Sequence, residues 1–206
     1  MERARDTAAP VAGVILAAGL SRRMGQSKLL LPWQGRPIVR HVVDAALRSR
    51  LAHLLVVTGA QTGEVAGALN GLALDLIHNP DYASGLASSL RAGILAVPNH
   101  VAGVLVMLGD QPRLTGDVID TLLDAYWSTG APIVAPFARG RRGNPVLFAR
   151  SLFADLLRAG GDAGARGVIE AHHDQILAVE VDPEVFEDID TPEAYAALLE
   201  NDARMS

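Results

Sequence analysis

Short hydrophobic runs alternate along this chain with segments in which apolar residues recur at helical spacing. The runs lack polar alternation, which is typical of strands buried on both faces of a sheet. We predict strands at residues 11–18, 54–59, 73–79, 102–108, 132–137, 144–150 and 175–181. We predict helices at residues 38–49, 64–69, 84–97, 115–128, 151–160, 163–173 and 192–200, with Ser84 and either Thr115 or Asp117 as N-caps.

The predicted elements follow one another mainly as strand, helix, strand, helix, with an irregular patch near residues 130–150. This order indicates an α/β fold with a mostly parallel sheet. Ligands of such sheets bind beyond the carboxyl ends of the strands, where the strand order reverses. The loops after residues 11–18 and 102–108 are therefore the candidate binding sites.

Length and composition limit the classes of protein to consider. The 206 residues fit one domain over residues 11–200, with a disordered lead at 1–10 and a tail at 201–206. The chain has no Cys, no apolar run of transmembrane length and no signal-peptide pattern, so we expect a cytoplasmic protein without a membrane partner. The net charge of −5 argues against a nucleic-acid partner.

Charge is distributed unevenly along the chain. Residues 1–50 hold nine Lys and Arg against three Asp and Glu, whereas residues 180–206 hold nine Asp and Glu against one Arg. The basic segment suits an anionic ligand. The acidic segment is either a solvated surface or a source of carboxylates for a metal ion.

The loop AAGLSRRMG, residues 17–25, combines small residues with two arginines, and Lys28 follows it as the one lysine beside 17 arginines. Successive backbone N–H groups of such a turn can bind phosphate oxygens, and a lysine ammonium is a compact charge for a phosphate. Neither the Walker A pattern nor G-x-G-x-x-G is present. A strand-to-loop turn with solvated arginines is the alternative interpretation.

Two acidic stretches follow downstream. Asp110, in GDQP at 109–112, comes directly after a buried strand, where a carboxylate commonly holds a divalent cation, although it could instead cap the turn. Asp188 and Asp190 lie two residues apart in an extended segment and so share one side of it. They could share a metal with Asp110, or Asp190 or Thr191 could cap the helix that Pro192 begins.

The long motif LAAGLSRRMGQSKLLLPWQGRPIVRH at 16–41, with GDQP and DIDTPEAY after it, resembles the molybdopterin cytidylyl- and guanylyltransferases of the MobA-like nucleotidyltransferase family. The resemblance runs from about residue 11 to residue 200. It implies a three-layer, Rossmann-like nucleotidyltransferase fold of the nucleotide-diphospho-sugar transferase type. The N-terminal half would bind the nucleotide, and residues 130–190 would bind the acceptor and contribute to the metal site.

The resemblance also implies roles for single residues. Arg23 and Lys28 would bind phosphates and act with Asp110 in catalysis, while Asp110 would hold Mg²⁺, with Mn²⁺ as an alternative, together with Asp188 or Asp190. LAAG rather than LAGG goes with the cytidylyl branch, so Ala18 points to CTP. The implied nucleotide-binding residues are Leu16, Ala17, Ala18, Gly19, Ser21, Arg22, Arg23, Gly25, Lys28, Gly85 and Ser88. Small helix-packing residues are the alternative interpretation of Ser88 and its neighbour Ser89.

The segments RRGNPVLF at 141–148 and GGDAGARG at 160–167 also resemble the cytidylyl branch, where this half faces the second substrate. Their cations suit an anionic pterin phosphate, and the glycine-rich stretch precedes a helix N-terminus, which attracts anions. The implied acceptor-binding residues are Arg142, Asn144, Asp162 and Arg166. Surface arginines and a helix cap at Asp162 are the alternative.

The expected reaction moves CMP from CTP to the phosphate of a molybdopterin-type cofactor and releases pyrophosphate. The attacking phosphate is already ionised, so no general base is required, and catalysis consists of positioning and charge neutralisation. A transient contact with a molybdoenzyme or its chaperone is a further expectation. The alternatives are another phosphate acceptor or GTP, a non-catalytic cofactor-delivery protein, and an oxidoreductase that uses nicotinamide or flavin.

Overall fold

A computed structural model of the protein describes residues 8–19, 24, 27–161 and 164–205, with side chains described as far as residue 200. It confirms the predicted α/β fold with a mostly parallel sheet. The strands are β1 (Val11–Ala17), β2 (Pro32–Trp33), β3 (Arg36–Pro37), β4 (His53–Thr58), β5 (Asp75–His78), β6 (Gly103–Leu108), β7 (Ile133–Ala138), β8 (Arg141–Arg142), β9 (Val146–Ala149) and β10 (Ile176–Glu180).

The main sheet has the strand order β10-β7-β9-β6-β1-β4-β5, and β8 pairs with β7 outside this path. Strands β5, β4, β1 and β6 run parallel, whereas β9 is antiparallel to both of its neighbours, β6 and β7. The chain moves from β1 to β4 and β5 on one side and then crosses to β6 on the other. The strand order therefore reverses at β1, so the loops after β1 and β6 leave the same edge of the sheet side by side.

Helices cover both faces of this sheet. They are α1 (Ile38–Arg48), α2 (Thr62–Ala68), α3 (Leu86–Ala96), α4 (Gly116–Thr129), α5 (Phe153–Arg158), α6 (Arg166–Ala171) and α7 (Pro192–Met205). Val11 and Ile15 of β1 pack in one hydrophobic cluster with buried residues of α1 and α4. Ala12 and Val14 pack in a second cluster with residues of α3, α5 and α6. Alternate side chains of one buried strand thus contact opposite helix layers, as expected of a three-layer fold.

Element boundaries differ from the prediction in several places. The predicted turn at 31–37 contains the hairpin β2–β3, which turns at Gln34 and Gly35 with φ angles of 46° and 75°. The helix predicted at 192–200 is longer in the structure, where α7 runs from Pro192 to Met205. Within the described residues, no helix is long and apolar enough to cross a membrane.

Of the caps predicted for α3 and α4, one is confirmed and one is wrong. The Thr115 side chain accepts a hydrogen bond from the Val118 N–H at the start of α4, at 3.3 Å. Ser84 does not cap α3, because its hydroxyl donates to the Asp81 carbonyl at 2.8 Å and Gly85 takes the N-cap position. Gly85 has a φ of 110°, a backbone conformation that favours glycine.

Candidate functional site

Lys28 lies between two carboxylates at the carboxyl edge of the sheet. It begins a one-turn helix, Lys28–Leu30, after the loop that follows β1. Its Nζ contacts Oδ2 of Asp110, which follows β6, and lies 2.5 Å from Oδ1 of Asp190, which precedes α7. The side chains of Lys28 and Asp110 are 15% and 13% exposed, and that of Asp190 is 44% exposed. Three distant parts of the sequence therefore meet in one charged cluster.

Backbone and side-chain contacts hold the segment that carries Asp190 against the loop that carries Asp110. The Ile189 N–H donates to the Asp110 carbonyl at 3.1 Å, and Gly109 donates to the carbonyl of Leu16 in β1 at 3.0 Å. Arg113, only 12% exposed, donates from Nε to Glu187 Oε2 at 2.7 Å. Arg113 had no predicted role, yet it links the loop after β6 to the acidic segment before α7.

The segments that carry Lys28 and Asp190 also contribute to a small hydrophobic cluster. Its buried members are Leu31, Trp33, Ile38, Ile189 and Leu198, with Met24 and Tyr195 packed against it. The Tyr195 Oη in α7 donates to the Pro32 carbonyl at 2.6 Å. The cluster and this hydrogen bond join the chain segment that carries Lys28 to the helix that follows Asp190. Tyr195 was not predicted, because its partner lies 163 residues away in the sequence.

We expect Tyr195→Phe to change the site as well as stability. Loss of one hydrogen bond should lower the free energy of unfolding by about 0.5–1.5 kcal/mol. Because that bond joins α7 to the Lys28 segment, the variant should also raise the KM for the substrate of this site. Tyr126→Phe is the matched control, since the Tyr126 Oη donates to the Ala102 carbonyl at 2.9 Å near the opposite edge of the sheet. Urea unfolding and steady-state kinetics measure both effects, and equal kinetics in the two variants would assign Tyr195 a structural role only.

The carboxylates keep Lys28 protonated. Partial burial acts to lower the pKa of Lys28, but the charges of Asp110 and Asp190 and their hydrogen bonds outweigh burial and raise it. Partial burial and the negative charges of Asp110 and Asp190 raise the pKa of Asp188. At neutral pH the cluster therefore contains a positive ammonium and an excess of negative charge, which is an environment that attracts a further cation.

The arrangement fits a divalent metal ion held by two carboxylates. Oxygens of Asp110 and Asp190 converge on one positive group, and carboxylate oxygens are the ligands that Mg²⁺ and Mn²⁺ prefer. Among the described residues, however, no group of three or more His, Asp or Glu side chains is arranged to hold a metal. The structure brings Asp110 and Asp190 together on Lys28, and a role for Asp188 as a metal ligand stays a prediction.

The small-residue loop begins where the sequence places it, directly after β1. Leu16, Ala17 and Ala18 are buried, and Gly19 is exposed at the edge of the sheet. A Cβ on Gly59, which follows β4, would lie 2.7 Å from the Ala18 carbonyl oxygen, so this neighbouring glycine permits the close approach of the two loops. Four of the predicted nucleotide-binding residues lie outside the described part of the chain: Ser21, Arg22, Arg23 and Gly25.

Gly85 and Ser88 lie at the start of α3, beside a buried asparagine. The Asn79 side chain, only 3% exposed, donates from Nδ2 to Ser88 Oγ at 2.9 Å and to Ser89 Oγ at 3.0 Å. The Ser88 hydroxyl also lies 2.9 Å from the Asp81 carbonyl oxygen. Ser88 therefore holds the turn between β5 and α3, which agrees with the packing interpretation, and its contact with a pyrimidine stays a prediction.

Two of the predicted acceptor-binding cations are close enough to affect each other. Burial lowers the pKa of Arg142 in β8, and the positive charge of Arg166 lowers it further, while Glu170 opposes this effect. Asn144 follows in the same turn and precedes Pro145, to which it is joined by a cis peptide bond. Two neighbouring guanidinium groups suit an anionic ligand. Asp162 lies outside the described residues.

The fold of this protein is the Rossmann-like fold that is found in nucleotidyltransferases. A nucleotidyl transferase from Methanothermobacter thermautotrophicus superposes with a TM-score of 0.82 at 24% identity, over 96% of this chain and 99% of that one. A family profile, the MobA-like NTP transferase domain, matches residues 13–176. The chain therefore belongs to the MobA-like NTP transferase family.

Two curated relatives with different names match most of the chain. The molybdenum cofactor cytidylyltransferase of Escherichia coli K12 is 31% identical over 88% of this chain and 92% of its own length. The nicotine blue oxidoreductase of Paenarthrobacter nicotinovorans is 33% identical over 94% of this chain and 99% of its own length. Family membership alone therefore does not define the substrate.

Solved structures of related mycobacterial proteins give the same result for the fold. A homologue of Rv0371c from Mycobacterium sp. strain JC1 has a TM-score of 0.86 at 32% identity, over 95% of this chain and 98% of that one. Rv0371c of Mycobacterium tuberculosis, in a complex with manganese, has a TM-score of 0.81 at 27% identity, over 93% and 98% of the two chains. A divalent metal is thus found with a relative of this chain.

Proposed function

We propose that this protein transfers CMP from CTP to the terminal phosphate of a molybdopterin-type cofactor and releases pyrophosphate. The observation that carries the proposal is the cluster of Lys28, Asp110 and Asp190 beside the small-residue loop, at the carboxyl edge where the strand order reverses. Membership of the MobA-like family and the similarity to the Escherichia coli cytidylyltransferase support it.

The reaction exchanges one phosphorus–oxygen bond for another. An oxygen of the acceptor phosphate attacks the α-phosphorus of CTP, the bond from that phosphorus to the bridging oxygen breaks, and pyrophosphate leaves with the electron pair. The acceptor oxygen is ionised at neutral pH, so the site needs no general base. This requirement agrees with a site whose described side chains offer an ammonium and carboxylates, groups that position and neutralise charge.

Each group of the cluster then has a role. Backbone N–H groups of the loop that starts at Ala18 and Gly19 would bind the triphosphate, with Arg23 and Lys28 neutralising its oxygens. Asp110 and Asp190 would hold Mg²⁺ or Mn²⁺, and such an ion supplies positive charge against the phosphates when it is bound. Because the Lys28 ammonium now lies between the two carboxylates, we infer that Lys28 turns from them toward phosphate when the cation and nucleotide bind.

The two substrates would approach from opposite sides of this cluster. Ala18, Gly85 and Ser88 would contact the cytidine, and the motif LAAG supports CTP over GTP. Arg142, Asn144 and Arg166 would bind the anionic acceptor. A bound anion would offset both the cost of burying the charge of Arg142 and its repulsion by Arg166. The product would then pass to a molybdoenzyme or its chaperone through a transient contact.

Pyrophosphate release tests this function. The purified chain is incubated with Mg²⁺ and CTP, GTP, ATP or UTP, each with and without the molybdopterin-type cofactor. We expect release with CTP only when the cofactor is present. Release with CTP and a different phosphate acceptor would support the proposed transfer reaction but contradict the proposed acceptor.

A negative result separates the remaining classes of protein. The similarity to an enzyme named as an oxidoreductase makes redox chemistry the second candidate. Absence of pyrophosphate release with every nucleotide, together with bound flavin in an absorbance scan or oxidation of a nicotinamide cofactor, would favour that candidate. Tight binding of the pterin cofactor without turnover would favour a delivery protein.

A further inference from the structure

Two histidines form a close pair at the amino-terminal edge of the sheet, opposite the Lys28 cluster. His53 begins β4, and His100 lies in the turn before β6, so the pair spans the amino end of β1. The two Nε2 atoms are 3.0 Å apart. The ring centroids are 5.0 Å apart, and the ring planes are inclined by 70°. Neither the fold nor the proposed transfer reaction requires imidazole groups at this edge.

Backbone hydrogen bonds fix both histidines in place. Ala52, before His53, donates from its N–H to the Val11 carbonyl at 2.9 Å. On the other side, the Ala102 N–H donates to the Pro10 carbonyl at 2.7 Å, and the Arg150 backbone N–H donates to the Ala102 carbonyl at 2.8 Å. The imidazoles therefore project from two anchored segments, so a ligand that binds both would find them already close together.

The short distance between the nitrogens restricts how the two rings can face each other. Two N–H groups cannot point at each other at 3.0 Å, so at least one Nε2 presents a lone pair toward its neighbour. Zn²⁺ bonds to imidazole nitrogen at about 2.0–2.1 Å, and tetrahedral geometry then places two such nitrogens about 3.3–3.4 Å apart. Small rotations of the half-buried His53 ring and the exposed His100 ring would widen the separation of the two nitrogens from 3.0 Å to this value.

The residues around the two histidines offer a metal ion few further protein ligands. Asp75 of β5 lines the same surface groove as His53. The one described cation beside the turn, Arg150, is engaged with carbonyl groups and with the Asn99 side-chain oxygen at 3.4 Å. Within the described residues no third His, Asp or Glu completes a ligand group, so water would fill the other positions.

We propose that His53 and His100 bind a transition-metal dication, represented by Zn²⁺, at a site separate from the Lys28 cluster. Imidazole nitrogen selects Zn²⁺ over Mg²⁺, which requires oxygen ligands. Bound metal would join the first residue of β4 to the turn before β6. Because the ion would bind the folded chain and not the separated histidines of the unfolded chain, it would raise the Tm.

Isothermal titration with Zn²⁺ in excess Mg²⁺ tests this site, because Mg²⁺ occupies carboxylate sites but not the histidine pair. We expect one Zn²⁺ per chain for the wild type and at least tenfold weaker binding for His53→Ala and His100→Ala. His173→Ala is the control, since its imidazole is exposed and contacts only the Glu170 carbonyl, at 3.3 Å, among described partners. It should bind Zn²⁺ as the wild type does.

Thermal unfolding without metal checks that each variant folds, and His53→Gln and His100→Gln replace any alanine variant that does not. The increase of Tm with Zn²⁺ should disappear in the pair variants and persist in the control. Equal Zn²⁺ affinity in the wild type and the pair variants, or no Zn²⁺ binding by the wild type, would overturn the proposal and leave a hydrogen-bonded histidine pair.

Discussion

Lys28→Ala should reduce the rate of pyrophosphate release by about 10²–10³, by analogy with removal of a single group that stabilises charge in a transition state. The same change should strengthen Mg²⁺ binding, because the ammonium now occupies the space between Asp110 and Asp190 and competes with any cation there. Turnover is measured by steady-state kinetics, and Mg²⁺ binding by the increase of Tm on addition of Mg²⁺. The two measurements should change in opposite directions.

Two further variants sharpen this prediction. Lys28→Arg should not restore turnover, because a planar guanidinium does not reproduce a compact ammonium. Arg36→Ala removes a cation from the nearby hairpin, where Arg36 is 60% exposed and pairs with Asp44 at 2.9 Å, and it should leave the rate unchanged. Wild-type turnover in Lys28→Ala would remove Lys28 from the mechanism.

Asp110→Asn should have a comparable effect on the rate, about 10²–10³, and should raise the Mg²⁺ concentration for half-maximal activity by about tenfold or more. The amide keeps the size of the side chain but loses its negative charge, so it holds both Lys28 and a divalent cation less strongly. Pyrophosphate release measured over a series of Mg²⁺ and Mn²⁺ concentrations gives both values.

Asp44→Asn is the matched control for this change. Asp44 is 14% exposed, close to the 13% of Asp110, and it also lies between two cations, Arg36 and Arg40. It lies in α1 and pairs with these two arginines instead of with Lys28, so the change should affect stability but not metal dependence. If Asp110→Asn turned over like the wild type at low Mg²⁺, the proposed metal pair would be wrong.

The sequence allowed the buried strands and the position of the site to be predicted because both depend on local pattern. Apolar runs without alternation marked β1, β4 and β6, and Asp110 stood directly after such a run. The hairpin β2–β3 was missed because its turn places Gln34 at a positive φ angle, which glutamine rarely adopts. Gly85 displaced Ser84 as N-cap because the chain needs a φ of 110° there, which no local polar pattern reveals.

Contacts between distant segments of the chain limited how much of the site could be predicted from the sequence. Lys28 and Asp110 were each predicted from their own loops, but their mutual contact was not, because 82 residues separate them. Arg113 was missed for the same reason, since its partners Glu184 and Glu187 are 71 and 74 residues away. Periodicity placed Asp188 and Asp190 together, yet only the fold distinguishes the one that reaches Lys28.

The ribosome makes the two parts of one small hydrophobic cluster at different times: first Leu31, Trp33 and Ile38, and much later Ile189 and Leu198. Asp190 follows Lys28 by 162 residues, which a ribosome adds in about 10–30 s at a rate of about 5–20 residues per second. Throughout that time the nascent chain carries the lysine without its second carboxylate, and Leu31, Trp33 and Ile38 lack their late partners Ile189 and Leu198. The Lys28 cluster is therefore completed late in translation, when α7 packs against the segment that carries Leu31 and Trp33.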